Sequence, residues 1–238
     1  MGRPTVQLEV VPELRFFLRR EYRPDGRVPV SCDGTSSLGH VVEAAGVPLT
    51  EVGSLAVGGW PAETGYRPRD GDVVAVGAVP RPQPVPGYRF LLDVHLGTLA
   101  RRLRLVGVDA AYRNDADDAG LVEEANTSRR VLLTQDRGLL HRRALWLGGY
   151  VRGAAPAGQF RDVLDRYAPP LAPWTRCTAC NGRLAPARKA DVAPLLPPGT
   201  RRTYQAFARC TSCGRVYWHG AHGPRLDAVV QSAVHPGR

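Results

Sequence analysis

Between Phe90 and Gly107 an apolar run ends on a carboxylate and passes straight into a helical stripe, and this junction restricts the possible folds more than any other stretch. Phe90 to Val94 reads as a short buried strand interrupted near its end by Asp93. Leu96, Leu99, Leu103 and Val106 then recur at helical spacing and face a core, with Arg101, Arg102 and Arg104 on the other side. The pattern repeats downstream. Asp109 to Arg113 is a second strand, the acidic cluster 114–118 follows, and a helix over 119–128 turns Leu121, Val122 and Ala125 inward. Val131 to Thr134 is a third buried strand with Asp136 just beyond it. A helix around Leu139 to Leu147, a strand at 149–152 and an amphipathic helix through Phe160, Val163, Leu164 and Tyr167 complete the series. Strands alternating with helices predict a parallel, three-layer α/β domain over residues 88–170.

A carboxylate at the end of a buried strand is costly unless something pairs with it. In open α/β sheets that end is also where ligands bind. Asp93 is therefore either a metal-binding or catalytic acid or the cap of the helix that follows. Asp118 and Asp136 carry the same two readings, each after its own strand. Parallel strands align their ends along one edge, which draws Asp93, the 115–118 cluster and Asp136 toward each other. Crowded carboxylates repel unless a cation sits between them. Oxygen ligands of this kind suit Mg²⁺ or Mn²⁺, which can activate water for phosphodiester hydrolysis. Arg101, Arg102, Arg137, Arg142 and Arg143 are the neighbouring candidates for holding a phosphate backbone.

The region before this domain has a different rhythm. Thr5 to Val10 alternates like a strand, Leu14 to Phe17 and Val28 to Val30 can supply a second, and Ser37 opens a short helix ending near Ala45. Ser54 to Val57, the Gly58-Gly59 turn and the Arg69-to-Asp72 turn into Val73 to Val76 finish the unit. Strand, strand, helix, strand, strand over residues 4–79 is a β-grasp order. It looks like the small ubiquitin-like, sulfur-carrier-related domains, but the chain runs on past Val79 where a carrier needs a free Gly-Gly terminus. An interaction or packing module, with a protein partner, is the expectation. Alternate prolines make residues 80–87 an extended linker.

Five cysteines include two Cys-x-x-Cys pairs, Cys177/Cys180 and Cys210/Cys213, with Cys32 left over. Two such knuckles, turned by Asn181-Gly182 and Gly214, predict a zinc ribbon over residues 174–225. Four thiolates complete a tetrahedron, so this zinc is structural. Charge is uneven: residues 1–79 carry a net −2, residues 80–173 +4 and residues 174–238 +8, within a total of +10. A basic rear half fits a polyanion such as nucleic acid, although Lys189 is the single Lys, which points to coding bias as much as to phosphate binding. Arg201, Arg202, Tyr204 and Arg215 interleave basic and aromatic side chains as an RNA surface does. His219 and His222 are read as packing residues or part of the RNA path. The tail after Leu226 is expected to be loosely ordered. No apolar run reaches membrane-spanning length and the first twenty residues have no signal-peptide core, so the expectation is a soluble cytoplasmic protein.

Leu92 to Asp109, Asp118 to Leu121 and Arg130 to Leu139 closely resemble the PIN-like ribonuclease domain named for the C-terminal part of the mutator-seven protein, and the likeness runs over about residues 88–222. Members often carry a ubiquitin-like domain in front. The resemblance implies a PIN-like α/β fold and a divalent-metal ribonuclease with Asp93, Asp118 and Asp136 in the acidic positions. It also matches the His219 and His222 stretch. Two departures stand out: Gln135 replaces an Arg usual before the third acid, and the fourth acid common among PIN nucleases has only Asp115, Asp117 and Glu123 as loose counterparts. The alternative function is a non-catalytic RNA-binding or adaptor protein with a vestigial acidic edge.

Overall fold

The computed structural model describes residues 4–218 and 223–234. In chain order the front region contains β1 (Thr5–Val10), β2 (Arg27–Ser31), α1 (Leu38–Ala44), β3 (Val52–Val57), β4 (Trp60–Pro61) and β5 (Val73–Ala78). Next come β6 (Arg89–Leu92), α2 (Gly97–Leu105), β7 (Asp109–Tyr112), α3 (Asp118–Ser128), β8 (Val131–Thr134), α4 (Arg137–Leu140), β9 (Gly148–Tyr150) and α5 (Pro156–Tyr167). The rear region contains β10 (Leu184–Ala187), α6 (Lys189–Val192), α7 (Pro198–Thr203), β11 (Phe207–Cys210), β12 (Val216–Tyr217) and α8 (Gly223–Val234). Two compact units emerge: residues 1–84 with 134–150, and residues 85–133 with 151–238.

In the first unit the sheet order is β2-β1-β5-β3-β4, with β1 and β5 parallel at its centre. This is the expected β-grasp. Ser37 caps α1 by accepting from the His40 amide, and Gly58 and Gly59 take the positive φ angles of 56° and 88° that the β3–β4 hairpin requires. Val6, Leu8, Val41, Val42, Val74 and Val76 fill the space between helix and sheet. One expectation fails. Leu14 to Phe17 is not a strand but part of a 3-10 turn, Pro12–Phe17. Pro12 at its start withholds an N–H from any ladder, and Leu14 and Phe17, three apart, share the inward side.

The second unit holds three parallel strands in the order β7-β6-β8. Phe90, Leu91 and Leu92 are fully buried, which explains an unbroken apolar strand where a half-exposed one would alternate. The chain leaves β6 toward β7, then passes back across β6 to reach β8. Right-handed crossovers therefore put α2 and α3 on opposite faces, giving the layered α/β arrangement. The reversal occurs at β6, the position where α/β sheets place ligands. Two helix expectations change. The helix expected over 139–147 is only α4, Arg137–Leu140, and beyond His141 the chain turns instead, with the Leu145 amide donating to the Arg142 carbonyl at 2.9 Å. Over the described residues the tail after Leu226 is helical: α8 runs Gly223–Val234 and buries Val230 and Ala233.

Antiparallel β10, β11 and β12 form the third sheet. Its small core is Val192, Leu196 and Phe207, with Tyr204 packed against it, so Tyr204 is a structural aromatic while Arg201 and Arg202 stay exposed. No helix among the described residues is long and apolar enough to cross a membrane.

Candidate functional site

Asp93 immediately follows β6. Its amide donates to the Leu133 carbonyl at 3.0 Å and its carbonyl accepts from the Leu96 amide at 2.9 Å, so the ladder is prolonged one residue and then turns sharply. The residue is 7% exposed. It occupies the cap position of the 3-10 turn Val94–Leu96, yet its side chain makes no capping hydrogen bond. Of the two sequence readings, capping is the one the structure removes. The turn is braced from β7, where the Tyr112 hydroxyl donates to the Val94 carbonyl at 2.9 Å. Gly97 makes this possible, because a Cβ there would lie 2.7 Å from that hydroxyl.

The other two acids sit differently. Asp117, not Asp118, caps α3: its Oδ1 accepts from the Gly120 amide at 2.8 Å. Asp118 is the first residue of that helix and is exposed. Asp136 caps α4, accepting from the Gly138 amide at 2.7 Å, and its own amide donates to Thr134 Oγ1 at 2.8 Å. Among the candidates for a fourth acid, Asp115 lies 3.3 Å from Arg113, whose hydrogen bond and charge hold its carboxyl below the usual range. Asp117 is engaged as the cap, and Glu123 is exposed on α3.

The arginines divide as well. Arg101 is exposed and Arg102 half-buried on α2, and Arg142 and Arg143 are exposed after α4. Arg137 is committed elsewhere: Nη1 donates to the Phe17 carbonyl at 3.0 Å and Nη2 to the Phe16 carbonyl at 2.8 Å. A guanidinium held by two main-chain carbonyls is a structural group, and this replaces its expected phosphate contact. Arg104 is also reassigned, since it is buried at 3% exposure rather than on the outer face of α2.

Arg104 reaches the first cysteine knuckle. Its Nε donates to the Ala110 carbonyl at 2.7 Å, and its Nη1 to the carbonyls of Thr178 and Ala179 at 3.1 and 2.8 Å. Burial pulls its guanidinium down from the ordinary value, while the Cys180 and Cys177 sulfurs act to hold it up. Alongside, Asp109 accepts from Arg130 at 2.6 Å, Asn181 at 2.8 Å and Arg176 at 3.2 Å. Burial pushes Asp109 up, but these hydrogen bonds and the two guanidinium charges outweigh it, leaving the carboxyl below its ordinary value. Asn181, at φ 69°, also accepts from the Ala110 amide at 3.1 Å. Sequence reasoning missed this dock. The signal was present in Ala100, one turn before Arg104, whose small side chain shares its face and leaves room for a buried guanidinium.

The dock ends at the four cysteines. Cys177 and Cys213 sulfurs lie 3.7 Å apart and Cys180 and Cys210 3.4 Å, and all four fall within 4.8 Å of one another. A tetrahedral zinc with bonds of 2.3 Å requires sulfurs about 3.8 Å apart, so the donor set fits the ion. Amides of Cys180, Ser212 and Cys213 point at the buried sulfurs of Cys177 and Cys210 at 3.4 to 3.5 Å. Gly182 is required here, since a Cβ would meet Cys210 Sγ at 2.9 Å. None of the five cysteines is in a disulfide. Among the described residues this is the one group of three or more His, Cys, Asp or Glu that is close enough to share a metal. His219 and His222 lie outside the described residues.

A β-grasp domain, a parallel α/β domain with an acid at its switch strand, and a zinc ribbon define a nuclease-like class with a ubiquitin-like front. The family model of the Mut7-C RNAse domain matches residues 88–230, and that of the Mut7-C ubiquitin domain matches residues 3–84. The chain belongs to the Mut7-C RNAse family. No curated protein and no solved structure matches it significantly.

Proposed function

We propose that this protein is a divalent-metal-dependent ribonuclease of the cytoplasm, in which Asp93, Asp118 and Asp136 hold Mg²⁺ or Mn²⁺ and RNA is the substrate. The observation that carries the reading is Asp93: a buried carboxylate at the carboxyl end of the switch strand with no capping role. Membership of a ribonuclease family supports it. Carboxylate oxygens are the donors a hard cation prefers. When bound, the cation would supply positive charge to offset the negative charge that builds up on the phosphate oxygens and would activate a water. The chain's own part is to aim Asp93 through the Tyr112–Val94 brace and to bind phosphates through Arg101, Arg102 and Arg142. The four cysteines hold structural zinc, and the basic ribbon around them guides the strand. The assay is incubation of purified protein with mixed RNA, with and without Mn²⁺, beside Asp93→Asn. Metal-dependent cleavage lost in the variant is the expected result, and cleavage that is absent or equal in the variant defeats the enzyme reading.

One observation favours a second reading. The cysteines alone form a metal-ready cluster among the described residues, as a non-catalytic RNA-binding or adaptor protein would have. Tight RNA binding with no cleavage in any divalent metal selects it.

A further inference from the structure

The segment Thr134–Tyr150, which includes Asp136, groups with residues 1–84. The reason is a set of specific contacts. Arg137, next to Asp136, places its guanidinium 5.7 Å from the Phe16 ring centre and 5.1 Å from that of Phe17 while donating to both carbonyls. Those carbonyls end the 3-10 turn Pro12–Phe17, where main-chain acceptors point outward and the negative end of the turn favours a cation. At the far end of the segment the Tyr150 amide donates to Glu51 Oε1 at 2.8 Å, and Glu51 is only 1% exposed. The Tyr150 ring closes on Phe16 and Phe17 at 5.3 and 5.2 Å. Between these points His141 Nδ1 lies 3.6 Å from Glu43 Oε1. A helix of four residues such as α4 cannot hold its own geometry. The β-grasp side chains hold it instead.

We propose that the β-grasp domain is the positioning element for the Asp136 turn, with Arg137 and Glu51 as its positioning residues. The domain is then an intramolecular clamp and not a recruiting module, and its Phe16–Phe17 face is already occupied. The consequence for activity rests on the acid-site reading above, in which Asp136 is one of the metal ligands. The clamp itself does not rest on that reading.

The test uses the full-length, zinc-loaded protein with Arg137→Ala, Arg137→Lys, Glu51→Ala and Glu51→Gln. Hydrogen exchange followed by mass spectrometry reads the clamp, and the Mn²⁺ concentration for half-maximal RNA cleavage reads the positioning. Arg137→Ala and Glu51→Ala are expected to speed exchange over 135–150 at least about tenfold, with β6, α2 and β7 unchanged. The Mn²⁺ requirement rises about 10- to 100-fold while KM for RNA holds, the usual cost of losing a group that orients a ligand. Glu51→Gln keeps an acceptor for the Tyr150 amide and retains the wild-type values. Unchanged exchange over 135–150 in both alanine variants overturns the clamp. An unchanged Mn²⁺ requirement beside faster exchange overturns the positioning role. Should Arg137→Ala unfold throughout, Arg137→Lys, which keeps the charge but not the paired hydrogen bonds, decides by the same two readouts. If the wild type cleaves nothing, the ribonuclease reading has failed and exchange alone decides the clamp.

Discussion

The cysteine cluster and the proposed carboxylate set are built on opposite principles. The cysteines come in pairs three residues apart on tight turns, so local backbone geometry alone brings each pair together, and two pairs meet across β10 and β11. The carboxylates come singly, each from the end of a different strand, and nothing local assembles them. Their arrangement depends on the packing of whole elements and on neutralising charge. The thiolate site is therefore set largely by local turns, while the proposed carboxylate site needs both the packing of distant elements and a neutralising cation.

Removing zinc is the largest perturbation of this contrast. A structural zinc contributes on the order of 10 kcal/mol to a small domain. Chelation or Cys177→Ser is expected to lower zinc content from about one per chain to near zero and to abolish exchange protection across β10, β11 and β12, leaving β6 to β8 protected. Zinc retained in Cys177→Ser would break the thiolate half of the comparison.

Next in size is the dock. Arg104→Ala leaves the carbonyls of Ala110, Thr178 and Ala179 without this donor, and each buried acceptor left unsatisfied costs about 1 to 3 kcal/mol. Denaturant melts should show that loss, and a change under 1 kcal/mol would mean the ribbon stands without its support. Asp109 gives the same interface a pH dependence. Its folded-state pKa is depressed, so its contribution is complete above the unfolded carboxylate value of about 3.9 and disappears as pH falls through the folded value. Asp109→Asn is expected to flatten the acid limb of the stability curve measured from pH 5 downward.

Smaller still are the phosphate contacts. Arg101→Ala and Arg102→Ala should each weaken RNA binding evenly across sequences and reduce the salt slope of log K by about one. An unchanged slope would remove α2 from the RNA surface.

What was legible in the residues follows the same division. The β-grasp order, the alternating strands and helices, and the cysteine knuckles depend on local spacing and turn residues, and all three are present. Leu14 to Phe17 misled because an apolar pair three apart fits a turn as well as a strand. Arg104 reads as solvated and Arg137 as a phosphate contact because a charge is usually outside, and only tertiary structure shows the carbonyls that hold them. Asp93 was legible as an acid at a strand end. That its side chain does not cap became visible only in the structure.

The measurement that bears most directly on the acid site is Mn²⁺ binding to the zinc-loaded protein, followed by electron paramagnetic resonance, for wild type beside Asp93→Asn. The proposed site predicts saturable Mn²⁺ binding in the wild type, weakened at least about tenfold in the variant, with zinc content unchanged in both. Equal binding in the two proteins, or none in either, would contradict it.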